Sequence, residues 1–172
     1  MLTAVEVNDL IGLEKKIFHD NTFHTTFGLN GAAPIRERLI LKNETEDEWI
    51  FLWSIEQSAK NLLKLTLHLQ ENNSYIPLLR IDFNGIHENP PEANSNVPTD
   101  IAGFANKRFE YSTPHIHIFV DGYKPLAWAR PLDTDQFLVK EIKSQTDIYL
   151  SIIAFGKIVN LSTNLTISQG IL

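Results

Sequence analysis

Ionisable side chains alternate with apolar ones in two short segments, LRIDF at residues 79–83 and HIHI at residues 115–118. Successive side chains of a β-strand point to opposite faces of the sheet, so the arginine and aspartate share one face, as do the two histidines. Because the apolar face of each strand is expected to bury against a core, the ionisable side chains are left to meet solvent, a ligand or another strand. The sequence therefore predicts the place of a functional site.

His115 and His117 carry the strongest chemical signal. Cα atoms two residues apart on a strand are about 6.5–7 Å from one another, and from that spacing two imidazoles can converge on one metal ion or one phosphate. With His87 as a third ligand, or Asp82 as a carboxylate alternative, the pattern suits a divalent metal ion, and no other cofactor is predicted. The same three histidines also suit general acid–base catalysis. A third interpretation is structural, with strand histidines that hydrogen-bond to their neighbours.

Arg80 and Asp82 suit supporting roles beside these histidines. A carboxylate that accepts a hydrogen bond from a histidine ring fixes the tautomer of that ring and raises its pKa, so Asp82 joins the three histidines as a predicted catalytic residue. The planar guanidinium of Arg80 suits a phosphate, and the alternative is an ion pair with Asp82 worth under about 1 kcal/mol. The other predicted substrate-binding residues are Asn89, Lys107, Arg108 and Tyr123.

Composition narrows the class of protein. The chain has 172 residues, of which 43% are apolar, so it can bury a core without disulfides or structural metals. It contains no cysteine, which excludes thiolate chemistry and cysteine-ligated metals. The net charge of −6 argues against a broad electrostatic grip on nucleic acid, although folding could gather a local basic patch. Without a signal-peptide pattern or a segment of about 20 apolar residues, we expect a cytoplasmic protein that does not contact membranes.

The hydrophobic pattern predicts a single α+β domain over residues 1–172. Thr3 and Glu6 fit a capping box, so we expect a first helix over about residues 4–17. Alternating apolar and polar residues predict an antiparallel sheet of about five or six strands between residues 36 and 130. The predicted strands lie near residues 39–41, 48–54, 62–69, 76–83, 115–120 and 126–130.

Two segments outside this predicted sheet complete the expected fold. The apolar residues at 148–155 predict a C-terminal helix, for which Asp133, Thr134 and Asp135 can provide caps. Residues 19–35 have no clear period and are expected to form a loop or a short irregular strand. The sheet is therefore expected to be flanked by an N-terminal and a C-terminal helix.

A site shared by the two polar strands depends on how these strands pair and on the long loop between them. Strands 76–83 and 114–120 must be neighbours with their polar faces aligned, because a slip of one residue would send one set of side chains to the core. The long loop at residues 88–113 is expected to fold over the histidine face as a lid, with Lys107 and Arg108 supplying positive charge. The alternative is a surface excursion packed by its own aromatic side chains.

Several short patterns occur together in this chain: R-x-D at residues 80–82, H-x-N-P at 87–90, P-H-x-H at 114–117, G-Y at 122–123 and W-A at 128–129. With them the chain resembles, over about residues 2–132, a family of small bacterial proteins of unknown function that are often met in mobile-element or prophage settings. Val120 or Asp121 stands where a basic residue is usual in that family, and Ala127 stands where a lysine is usual. The resemblance implies a shared site without naming its chemistry.

Three hypotheses for the function follow. The first is a toxin-like or defence-associated ribonuclease, in which His87, His115 and His117 act as general acid and base on RNA and Arg80 binds the scissile phosphate. The second is a non-catalytic interaction protein, an immunity or anti-defence factor with a protein partner, which the acidic charge favours. The third is a metal-dependent enzyme or metal-binding module. The sequence leaves open whether the protein is an enzyme, and it predicts no oligomeric state.

Overall fold

The computed structural model describes residues 2–132 and 137–168. The helices are α1 (Ala4–Gly12), α2 (Thr99–Ala102) and α3 (Gln145–Ile158). The strands are β1 (Lys16–His19), β2 (Thr22–His24), β3 (Thr26–Asn30), β4 (Arg36–Lys42), β5 (Ile50–Gln57), β6 (Leu65–Glu71), β7 (Ile76–Phe83), β8 (His87–Glu88), β9 (Arg108–Phe109), β10 (His115–Ile118), β11 (Trp128–Pro131) and β12 (Asn164–Ser168).

Within these described ranges, eight strands form one antiparallel sheet in the order β11-β10-β7-β6-β5-β4-β1-β2. The α+β class and the antiparallel sheet are therefore confirmed, and all six predicted strands belong to this sheet. The predicted total of five or six strands was wrong, because β1 and β2 extend the sheet at one edge. Two smaller pairs, β12 with β3 and β8 with β9, lie outside it.

The first helix has the predicted start and an earlier end. The Thr3 side chain accepts a hydrogen bond from the Glu6 backbone, and the Glu6 carboxylate accepts one from Thr3 N at 2.7 Å, which completes the capping box. The helix ends at Gly12 and not near residue 17, because the next residues join the sheet, where Ile17 is buried opposite Leu41. Sheet pairing thus overrides helical spacing in the last predicted turn.

The C-terminal helix is also confirmed, and it begins later than its predicted caps. Ser144 caps α3, since its side chain accepts from the Asp147 backbone N–H. The predicted caps Asp133, Thr134 and Asp135 lie outside the described residues. Among the helices that the structure describes, none is both long and apolar enough to cross a membrane.

Both long helices pack on the same face of the sheet. Val7 of α1 and Ile152 of α3 belong to one buried apolar cluster with the inward residues of the central strands. Phe155 stacks on Trp53 of β5, with 5.5 Å between ring centroids. Alternate residues of these strands point to the other face, which α1 and α3 leave uncovered. The polar side chains of the predicted site lie on that second face.

A buried lysine joins the ends of the two helices. Lys15 is 0% exposed, and its Nζ donates to Ile11 O at 3.0 Å, Leu13 O at 2.6 Å and Val159 O at 3.1 Å. These carbonyls lie at the C-terminal ends of α1 and α3, where a cation complements the helix dipole. Burial nevertheless lowers the pKa of Lys15 to about 7. The amine satisfies carbonyls that no other side chain reaches in the described parts of the chain.

Replacing Lys15 should destabilise the fold. In Lys15→Met the apolar stem is kept, but three buried carbonyls lose their donor, so we expect the free energy of unfolding to fall by about 2 kcal/mol in urea denaturation. Lys16→Met is the matched control, because Lys16 is partly exposed and pairs with Glu44, and it should cost less than about 1 kcal/mol. Equal stability of Lys15→Met and wild type would show that the cost of burying the amine cancels its hydrogen bonds.

Candidate functional site

The two strands that carry the predicted site are neighbours in the sheet. β7 and β10 pair antiparallel, with Asp82 opposite His115 and Arg80 opposite His117. Directly opposed residues of a sheet point to the same face, so all four side chains lie on the face away from α1 and α3. The predicted register is confirmed, and the apolar residues between these four join the core on the other face.

Backbone carbonyls orient the two histidine rings. The distance from His115 Nδ1 to Thr113 O is 2.8 Å, and that from His117 Nδ1 to Leu126 O is 3.0 Å. A carbonyl oxygen can only accept, so each Nδ1 carries a hydrogen and donates it. Each neutral ring therefore presents the lone pair of its Nε2 to the space between the strands. This fixed tautomer is the one that leaves Nε2 able to bind a cation.

Asp82 lies where the two Nε2 atoms meet. Its Oδ2 is 3.0 Å from His117 Nε2 and 3.8 Å from His115 Nε2, and its Oδ1 accepts from the Thr66 hydroxyl at 2.7 Å. The ligand atoms of Asp82, His115 and His117 all lie within 4.8 Å of one another, and all three residues are buried. His115 Nε2 has no hydrogen-bond partner among the described residues. Such a group of donors could hold a metal ion.

The guanidinium of Arg80 provides the positive charge at this point. Its Nε and Nη2 donate to Asp82 Oδ2 at 2.8 and 2.7 Å, and its Nη2 lies 3.0 Å from His117 Nε2. A neutral His117 ring accepts this hydrogen bond, whereas a protonated ring would donate to the carboxylate. The Arg80 side chain is 35% exposed, so it reaches the buried group from the solvent side.

Burial and charge set the ionisation of the group. Burial raises the pKa of Asp82, but the contacts of its carboxylate with His117, the Arg80 guanidinium and the Thr66 hydroxyl outweigh burial, so the pKa of the carboxyl lies well below its usual range. Burial lowers the pKa of His115 to about 4 and also lowers the pKa of His87. Burial therefore favours the neutral, ligand-competent form of the His115 ring beside this carboxylate.

His87 lies beside the group without pointing a donor into it. Its ring centroid is 4.4 Å from that of His117, but its Nε2 lies 3.0 Å from Ala127 O and 3.1 Å from Asn89 Oδ1. The predicted metal-ligand set thus changes in this structure, since Asp82 and not His87 completes the group. His87 instead lines an open cleft beside Arg80.

Asn89 fastens the long loop to the sheet. Its amide nitrogen donates to Ala129 O at 2.7 Å and to Phe104 O at 3.0 Å, and its oxygen accepts from Ala129 N at 2.8 Å. Asn89 is buried, and these bonds use its amide within the protein. It was predicted to bind substrate, and the structure places it under the loop, where it positions its neighbour His87.

The long loop covers part of the site. It contains α2 and β9, and Phe109 of β9 is 0% exposed, with its ring centroid 4.9 Å from that of His115. The expectation that this segment folds over the histidine face is confirmed for His115. Of the two charges that it was expected to supply, Arg108 is exposed and pairs with Glu110 at 2.7 Å.

The cleft beside Arg80 is lined by two of the residues predicted to bind substrate, Arg80 and Asn89, together with residues that were not predicted. Its volume is about 700 Å³, and its lining includes His68, Arg80, His87 and Lys124. Tyr123 lies in the adjoining turn, where its hydroxyl donates to Glu92 O at 2.8 Å. Sequence reasoning missed His68 and Lys124 as site residues. The alternation of Thr66, His68 and Gln70 along β6 is the signal that could have found His68.

Comparison with known proteins places the chain in a family. A family model described as "Family of unknown function (DUF6978)" matches residues 2–161, so the chain belongs to that family. No curated protein and no solved structure matches it. Any role for the site therefore rests on its geometry.

Removing the aromatic cover should destabilise the protein. Phe109→Ala deletes a fully buried ring that packs on His115, so we expect the free energy of unfolding to fall by about 3–5 kcal/mol. Tyr111→Ala is the matched control, since Tyr111 is 54% exposed in the same loop, and its effect should be within about 0.5 kcal/mol. Urea denaturation measures both. Equal effects of the two substitutions would contradict the assignment of Phe109 as the cover of this site.

The lowered pKa of His115 should appear as acid sensitivity. Between pH 6.5 and about 4 the unfolded chain takes up a proton at His115 that the folded protein does not, so stability should fall as pH falls through this window, by at most about 3 kcal/mol. His115→Asn keeps an N–H for the Thr113 carbonyl and removes the titration, so it should flatten this part of the curve. Urea denaturation with a chelator present measures it, and the exposed His19→Asn should keep the wild-type slope.

Proposed function

We propose that this member of the family of unknown function is a metal-binding protein in which Asp82, His115 and His117 hold one divalent transition-metal ion. One observation carries the proposal: the Nδ1 atoms of both imidazoles donate to backbone carbonyls, and their Nε2 atoms converge on one carboxylate oxygen. Histidine ligands in metal sites almost always donate their second ring N–H to a carbonyl, carboxylate or water.

The distances support a first-row metal. Zinc–nitrogen and zinc–oxygen bonds of about 2.0–2.2 Å in a tetrahedral site place the ligand atoms about 3.4 Å from one another. The separations of 3.0 Å and 3.8 Å from Asp82 Oδ2 to the two Nε2 atoms lie on either side of this value. The ligand atoms of all three residues lie within 4.8 Å of one another, so rotation of the side chains toward a shared ion would complete the coordination without moving the strands.

An unsatisfied atom also favours a ligand at this place. His115 Nε2 is buried and has no hydrogen-bond partner within the described ranges. A buried polar atom without a partner costs about 1–3 kcal/mol, and native proteins rarely keep one without a reason. A bound cation would use this lone pair. The covering ring of Phe109 excludes the solvent that would otherwise do so.

Arg80 would occupy the cation position when the metal is absent. Its Nη2 is within 3.0 Å of both Asp82 Oδ2 and His117 Nε2, where it neutralises the buried carboxylate. Two cations cannot share this space, so metal binding requires the guanidinium to move outward. The Arg80 side chain is partly exposed and can do this by turning into the adjoining cleft.

Three protein ligands leave at least one coordination position for solvent or substrate. Catalytic zinc sites have three protein ligands and an open position, whereas structural sites are closed by four. The cleft that adjoins Arg80 would supply that access, and its His68 and Lys124 suit an anionic substrate. The combination of two histidines and one carboxylate favours zinc, iron(II) or cobalt(II) over magnesium or calcium.

Burial separates this proposal from the ribonuclease hypothesis. A general acid or base must come within hydrogen-bonding distance of its substrate, and the side chains of His115 and His117 are 0% and 1% exposed. The half-buried His87 meets that requirement better, because it lines the cleft with Arg80. Cleavage of RNA at this cleft, and an immunity or anti-defence role, stay predictions that an activity assay and a partner screen would test.

Metal titration tests the proposed site. Titration of chelator-treated protein with Co²⁺, followed by d–d absorption, should show one site, and Zn²⁺ should displace the cobalt. His115→Asn should abolish the site, because it removes one of three ligands while keeping the Thr113 hydrogen bond. Arg80→Met should bind Co²⁺ at least about tenfold more tightly, or about 1.4 kcal/mol, because the competing cation is gone.

The exposed His19 provides the control for adventitious binding. His19→Asn should bind Co²⁺ as the wild type does, with the same spectrum. Equal affinities of the wild type and His115→Asn would overturn the proposal. An Arg80→Met variant that binds no more tightly than the wild type would show that the guanidinium does not occupy the metal position.

A further inference from the structure

Two rows of polar side chains run across the open face of the sheet. Aligned cross-strand pairs place Arg38, Ser54, His68, Arg80 and His117 in one row, from β4 through β5, β6 and β7 to β10. Each residue is directly opposite the next, so all five share one face. The row begins at an exposed arginine and ends at the buried histidine.

The second row lies beside the first, two residues along each strand. It contains Arg36, Glu56, Thr66, Asp82 and His115, again in directly opposed pairs. Its outer part is exposed and its inner part is the buried carboxylate and histidine. The two rows therefore form one polar track that leads from the β4 side of the sheet to the proposed metal site.

Cations without ion-pair partners line this track. Arg36, Arg38, Lys64 and Lys124 make no ion pair within the part of the chain that the structure describes. Three adjoining clefts line up along the track. One contains Arg36 and Lys64, the next shares Arg38 with it, and the third contains Lys124 and shares Arg80 with the second. Glu56 is the one exposed acidic side chain in the two rows.

The dimensions of the track select its ligand. Adjacent strands are about 4.8 Å apart, so the row across five strands is about 19 Å long, and two rows are about 7 Å apart. An extended polyanion as wide as a single nucleic acid strand fits this shape. A duplex is wider and would contact only the edges of the track. Guanidinium groups suit phosphate because their planar forks donate to two oxygens.

We propose that this track binds single-stranded nucleic acid through its phosphate backbone, with Arg36, Arg38 and Lys64 as the outer contacts and Arg80 and Lys124 at the inner end. The protein has a net charge of −6, so the attraction is local to the track. Binding of the nucleic acid does not require the metal ion, because the outer contacts lie on β4 and in the β5–β6 turn. An acidic peptide shares the negative charge of single-stranded nucleic acid but has no phosphate groups.

Fluorescence anisotropy with a labelled 12-nucleotide mixed-sequence RNA, at about 50 mM salt with a chelator present, tests the proposal. The double variant Arg36→Gln/Arg38→Gln should lose at least about tenfold in affinity, and its slope of log affinity against log salt should be shallower by about 1.4, for two lost phosphate contacts. Glu56→Gln should bind more tightly than the wild type because it removes a repelling charge. These side chains are exposed, so the variants should keep the wild-type melting temperature.

The matched control is Lys143→Gln/Lys157→Gln, which makes the same change in net charge on and before α3, away from the track. It should bind the RNA with wild-type affinity and salt slope. An equal loss in both double variants would overturn the proposal, because it would show a non-specific charge effect. Failure of the single-stranded RNA to bind would also overturn the proposal. So would binding of the matching duplex or of a poly-glutamate peptide as tightly as the single-stranded RNA. Because a chelator is present, failure here leaves the metal proposal untouched, and failure of the Co²⁺ titration leaves this one untouched.

Discussion

The charge of Asp82 is the constraint on which the site depends. A carboxylate this deeply buried is tolerated only if hydrogen bonds and an opposite charge replace the lost water. Thr66 of β6 donates a hydrogen bond, Arg80 of β7 supplies the opposite charge, and His117 of β10 lies against the carboxylate. Their convergence requires three adjacent strands to pair without a slip. The free energy that favours this register therefore comes from both faces, since the same pairing also aligns the apolar residues of the core.

The uncovered face can be polar because the helices concentrate apolar packing on the other one. α1 and α3 are tied together at their C-terminal ends by Lys15, and the stack of Trp53 on Phe155 anchors α3 to the sheet. The long loop crosses the open face near the histidines, and Asn89 holds it there. This division leaves one end of the polar track in solvent and encloses the other, which is the condition for a site that is both accessible and partly dry.

Strand alternation was sufficient to predict the register of β7 and β10, because a period of two assigns faces without knowledge of the partner. It also identified three of the four side chains around Asp82, namely Arg80, His115 and His117, and missed Thr66. What it could not provide depends on contacts distant in sequence. The short strand β1 gains its stability from β4, and the edge strand β2 gains its stability from β1. The burial of His115 depends on Phe109 in another segment, and the ring tautomers depend on backbone carbonyls. His68 carried the right alternation but lacked a visible partner until β6 was placed beside Arg80.

Arg80 belongs to both proposed sites, and this links them. In the absence of metal its guanidinium neutralises Asp82, and a phosphate in the cleft must then compete with that carboxylate for the same donors. A metal ion that takes over the carboxylate would release the guanidinium toward the cleft, where His68 and Lys124 already lie. Linkage requires the effect to be reciprocal. A bound nucleic acid that holds Arg80 outward would therefore favour metal binding by the same factor. The two sites, if both are occupied, are therefore expected to cooperate through a single side chain.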